Sequence, residues 1–120
     1  MSDIQQANIP ASTVTLLAMG GRSSTVTGTA VKGLSAARLL VMQLNVTSVS
    51  GTSPTLDVVV QDTVDGTNWN TIATFAQATA VTREVIRLTT AFTDQLRVVG
   101  TIGGTTPAFI FEVLTWADSN

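Results

Sequence analysis

Val49-Ser-Gly-Thr-Ser-Pro-Thr-Leu56 and Ile102-Gly-Gly-Thr-Thr-Pro-Ala-Phe109 are two versions of one pattern, about fifty residues apart. Each follows an apolar run, residues 39–46 or 96–102, and each leads into an alternating one, Leu56-Asp-Val-Val-Val60 or Phe109-Ile-Phe-Glu-Val113. Strand, small-residue turn, proline, strand is the grammar of a β-hairpin, and both stretches are read as hairpins. Gly51 and Gly104 supply backbone freedom at positive φ. Pro54 and Pro107 have no N–H and suit the first residue of a strand or a turn. Two copies are too few for a solenoid or a propeller. Convergent turn chemistry and a duplicated half of a β-sandwich both account for the pattern.

Outward from these stretches the period is two nearly everywhere. Residues 13–19 and 24–31 are Thr- and Val-rich strand candidates separated by Gly20-Gly21. In residues 38–46, Leu40, Met42, Leu44 and Val46 share one face, while Leu39 and Val41 make the other face partly apolar too. That marks a central strand. Further candidates are residues 55–62, 69–75, 81–89, 94–102 and 107–116, with Asp65-Gly66 as the strongest turn signal. About eight regularly spaced short strands, with no helical period, predict an all-β, antiparallel β-sandwich of jelly-roll-like type. The expected core includes Leu44, Val58, Val60, Ile86, Leu88, Val98, Phe109 and Phe111. Residues 1–11 read as an extended arm, 12–117 as the β-sandwich domain and 118–120 as a tail.

The 120 residues amount to one domain, able to bury roughly two-thirds of its unfolded surface. Only 12% of residues are charged, about half the usual share. Thr, Ser, Asn and Gln carry the polar surface instead, which favours life inside an assembly. Net charge is −2 and the six basic residues form no run, so there is no linear footprint for nucleic acid. Nothing at the start has the form of a signal peptide, and no apolar run reaches the roughly 20 residues of a membrane span. Synthesis in a cytoplasm follows as the expectation.

Cysteine, histidine and tyrosine are absent, which removes thiolate and imidazole chemistry. Asp62 and Asp65 flank a turn and are read as solvated turn carboxylates. The run Asp62-Thr-Val-Asp-Gly-Thr-Asn68 is oxygen-rich but lacks the spacing and the terminal Glu of a calcium loop. The expectation is no enzyme, no cofactor and no metal. Trp69 is expected to cap one end of the core. Trp116, at a strand rim, suits either core packing or a subunit contact. Ile4 and Ile9 are the large apolar anchors of the arm.

The run from Thr55 to Ile72, then Arg87-Leu88, then Leu96-Arg-Val-Val-Gly-Thr-Ile-Gly-Gly-Thr-Thr-Pro-Ala-Phe-Ile-Phe111, resembles small structural proteins of tailed bacteriophages. Capsid decoration (cement) proteins are the most similar of these. The resemblance implies a virion protein on the capsid exterior that bridges coat subunits, with the major capsid protein as partner. A homo-oligomer is expected, a trimer for preference, because threefold positions recur on capsids. Ile4, Ile9 and Trp116 are the candidate contacts. Asp65-Gly66-Thr-Asn68-Trp69 resembles the Asp-Gly-x-x-Trp turn of discoidin-type sandwiches. That likeness implies the alternative, a carbohydrate-binding module using Asp65, Asn68 and Trp69. A small tail or adaptor component is a further alternative.

Overall fold

In the computed structural model, which describes residues 11–35 and 37–118, the two Gly-Pro stretches do not close hairpins. They pair with each other. β1 (Ala11–Arg22) and β2 (Val26–Thr27) precede a 25-residue strand, β3 (Leu39–Thr63). β4 (Trp69–Thr74) and β5 (Thr82–Leu88) precede a 24-residue strand, β6 (Gln95–Asp118). β3 and β6 run antiparallel from Leu39↔Asp118 to Thr63↔Gln95, with Thr52↔Thr105 near the middle. The eight expected strands are therefore six, because the expected pairs 38–46/55–62 and 94–102/107–116 each fuse into one strand. All pairings are antiparallel and belong to one sheet, in the order β1-β6-β3-β4, with β2 beside β6 and β5 beside β3.

The small residues serve bulges rather than turns. Beside the Thr52↔Thr105 pair, Gly51 stands opposite Thr106-Pro107. On its other side, Gly104 stands opposite Ser53-Pro54. Gly51 and Gly104 have φ of 111° and 113°, and Ser53 and Thr106 have φ of 49° and 45°. Two matched bulges of opposite sense thus surround a local twofold axis. Bulges bend strands and sharpen their twist. A straight ribbon of this length would span roughly 80 Å, yet the longest dimension of the molecule is 54 Å.

The bend folds the ribbon back on itself. Gly100 and Phe111 lie on the same strand, but a Cβ built at Gly100 would sit 3.2 Å from Phe111 Cζ. The first half-sheet contains β1, the end of β6, the start of β3, and β5. The second contains β2, the start of β6, the end of β3, and β4. Their inner faces meet. Leu40, Met42, Leu44, Phe109, Phe111 and Val113 enter the core from the first half and Leu56, Val58, Val60, Leu96 and Val98 from the second, all with no exposure. Burying a side chain of this size contributes about 1.5–3 kcal/mol, which is why the alternating pattern dominates the fold. Ile86, expected in the core, is only partly buried and packs at its margin.

The duplication extends beyond β3 and β6. β1 carries a register shift between Thr15 and Leu17, opposite Leu114 and Val113. β4 carries one at the corresponding place, between Thr71 and Ala73, opposite Gln61 and Val60. Arg22↔Phe109 in the first half matches the bridge Ala78↔Leu56 in the second. Of the two origins left open by the sequence, a duplicated half is the one this geometry supports.

Candidate docking face

Directly opposed residues in an antiparallel ladder point to the same side of the sheet. The outer side of the first half-sheet can therefore be read rung by rung. One rung is Arg87–Val41–Trp116–Thr13, the next Val85–Gln43–Leu114–Thr15, and the third Arg83–Asn45–Glu112. Leu39 lies at one end of this face. Met19 and Ile110 lie at the other, near Thr47, whose Oγ1 reaches both Met19 Sδ and the Ile110 carbonyl. Leu39, Val85, Ile110, Met19 and Trp116 are each about two-fifths exposed or more, Trp116 the most at 47%. A shallow groove of about 200 Å³ crosses the middle, lined by Thr13, Val41, Gln43, Val85, Leu114 and Trp116.

The second half-sheet provides an internal comparison on nearly the same backbone. Its outer side carries Thr55, Asp57, Gln61, Arg97, Thr101, Thr71 and Thr74, with Val59 and Val99 between them. The ladder pair Thr63↔Trp69 occupies the place that Thr13↔Trp116 occupies in the first half. There the likeness stops. The Arg97 guanidinium lies 4.3 Å from the centre of the Trp69 ring, and its Nε donates to Gln61 Oε1 at 2.9 Å. That stacking satisfies the ring in place. Trp116 has no such cover among the described residues.

Contrary to the expectation from sequence, Trp69 does not cap the core. The shift between Thr71 and Ala73 changes the phase of β4, so Ala73 and Phe75 face inward while Trp69 lies half-buried on the outside. Asp65 and Asn68 lie in the turn before it. Asp65 Oδ1 accepts the Thr67 and Asn68 backbone N–H groups, both at 2.8 Å, and Oδ2 accepts Asn68 Nδ2. The Asn68 and Thr67 N–H groups, together with the Asn68 amide, hold the Asp65 carboxyl well below the usual carboxylate range. Gly66 takes φ of 81° to complete the turn. Asp65 and Asn68 are thus joined to each other, and Trp69 is joined to Arg97.

Two further carboxylates, Asp62 and Asp94, are structural ties. Asp62 is buried and accepts the Thr93 N–H, which pins residue 93 beside the turn. Asp94 accepts the N–H groups of Ser35 and Gly33, which hold its carboxyl below the ordinary range and clamp the connector before β3. Among the described residues no group of three or more acidic, His or Cys side chains is placed to hold a metal. No helix there is long and apolar enough to cross a membrane.

Of the expected interaction residues, Trp116 is on this outer face, while Ile4 and Ile9 lie outside the described residues. Sequence reading missed Leu39, Val41, Val85 and Leu114 as surface. For Leu39 and Val41 the signal was present in the apolar second face of residues 38–46, which was taken only as a sign of a central strand. No protein-family model, curated protein or solved structure matches the chain.

Proposed function

We propose that this chain is a non-enzymatic structural protein of a tailed-phage virion, which binds the outer capsid surface and stabilises the shell by bridging coat subunits. The observation that carries the proposal is the one-sided outer face around Trp116. An apolar sheet surface of this extent, which the more polar outer side of the other half-sheet does not share, is a surface kept for a partner. The low charge of the chain and its resemblance to decoration proteins support the same reading. In it, the folded-over sheet is a compact β-sandwich of the jelly-roll kind, and a homotrimer multiplies the weak contacts of each small subunit.

The test is to add purified protein to particles that lack it and to heat them beside untreated particles. The expected result is saturable attachment at hundreds of copies and a higher temperature of shell disruption. Identical disruption temperatures at full occupancy would remove the stabilising role.

A further inference from the structure

The docking face is not only apolar. Its β5 edge carries Arg83 and Arg87, each one rung from Val85 on opposite sides of it and both exposed. Neither side chain has a hydrogen bond, ion pair or ring contact among the described residues. Two of the three other arginines are used internally. Arg97 covers Trp69 and bonds Gln61. Arg22 donates to the carbonyls of Ala18, Gly20 and Phe111 and lies 4.9 Å from the Phe111 ring centre. Of the two acids on this face, Glu112 accepts from Asn45 Nδ2 at 3.3 Å, and Asp118 stands opposite Leu39 at its end. In a chain of net charge −2, this face is an apolar strip with two uncommitted cations along one side.

We infer that the partner surface is an apolar ridge flanked by carboxylates, and that Arg83 and Arg87 set the register of docking by pairing with them. Resting on the virion reading above, this places the carboxylates on the coat protein. A planar guanidinium at an interface can engage a carboxylate through two N–H groups, which fixes orientation as well as sign. On docking, Val85 between the arginines and Val41 beside Arg87 help exclude water from those pairs, which strengthens them relative to solvent-exposed ones. Complementary charge of this kind governs partner choice and rate of encounter more than total affinity.

The experiment measures attachment of three purified proteins to capsids that lack the protein, at low and moderate salt. The first is the unaltered chain. The second is the double variant Arg83→Glu/Arg87→Glu. The third, Thr71→Glu/Thr101→Glu, adds negative charge to the outer side of the other half-sheet. Circular dichroism confirms that all three are folded. The expected result is attachment weakened at least about tenfold in the arginine variant, because like charges meet at the interface. The Thr variant should attach like the unaltered chain, whose own attachment should weaken as salt rises. Equal attachment by the unaltered and arginine-variant proteins, without salt dependence, would overturn the inference while leaving the virion reading in place. No attachment by the unaltered chain would overturn the virion reading and the named partner together. Self-association in solution that the arginine changes abolish would assign the face to a second copy and so overturn the coat protein as its occupant.

Discussion

Alanine at Gly51 is expected to cost about 4 kcal/mol, combining strain at an unfavourable backbone angle with overpacking, each worth about 1–3 kcal/mol. A Cβ there would lie 2.7 Å from the Thr106 carbonyl oxygen and 2.8 Å from Pro107 Cα. Both are backbone atoms of the paired strand and cannot swing away. The φ of 111° is itself hostile to an L side chain. Gly104→Ala should cost nearly the same, since its Cβ would meet Ser53 O at 2.7 Å and Pro54 Cα at 3.0 Å. Gly66 is the control. It also has positive φ, but nothing lies within 4 Å of its Cβ position, so alanine there should cost only about 1–2 kcal/mol. Urea unfolding of the three variants decides the matter. A Gly51 variant no weaker than the Gly66 variant would show that the two strands do not approach at the bulges.

Truncating Phe111 to alanine is expected to cost about 3–5 kcal/mol, the range for a large aromatic removed from a core that cannot collapse around the gap. Phe111 has no exposure and is the side chain whose ring tip faces Gly100 across the fold. Arg22 packs over the ring and donates to the Phe111 carbonyl. The substitution therefore opens a cavity where the half-sheets meet and removes the surface on which Arg22 rests. With typical stabilities of about 5–15 kcal/mol, a large share of the total would be lost, seen as a fall in Tm of more than about 10 °C. A loss below about 1 kcal/mol would place Phe111 at a surface, and the folded-over ribbon could not stand.

The same residues show how far the sequence could be read. Strand positions, inward faces and the Asp65-Gly66 turn were legible because each depends on a local period or a local backbone angle. The identity of the partner strands was not. Glycine at positive φ beside proline satisfies a tight turn and a bulge equally well, so residues 49–56 and 102–109 predicted hairpins. What they do is let two long strands bend together. The phase of burial hid the event. In β6 the buried positions change from even, Leu96 and Val98, to odd, Phe109 and Phe111, across the bend. In β3 they stay even, from Val46 to Leu56, because a register shift between Val46 and Ser48 inserts one extra residue.

The candidate docking face was half legible for a related reason. Trp116 was singled out because an exposed-rim tryptophan is unusual whatever its surroundings. Leu39, Val41, Val85 and Leu114 were not, because apolar residues on both sides of a strand are equally the mark of burial. Only pairing shows which side has a layer over it. Arg83 and Arg87 read as scattered charge until β5 lay beside β3 and brought them level with Asn45 and Val41. The internal repeat then supplies the contrast that separates the two tryptophans, one beneath Arg97 and one open.

The central claim is that the Trp116 side of the first half-sheet is the surface by which this protein holds a capsid. An electron-microscopy map of the decorated particle tests it most directly. The account predicts density for the chain on the shell exterior, with Leu39, Val41, Val85 and Trp116 turned toward the coat and Arg83 and Arg87 beside coat carboxylates. A map in which this side faces solvent while the Trp69 side meets the shell would contradict it.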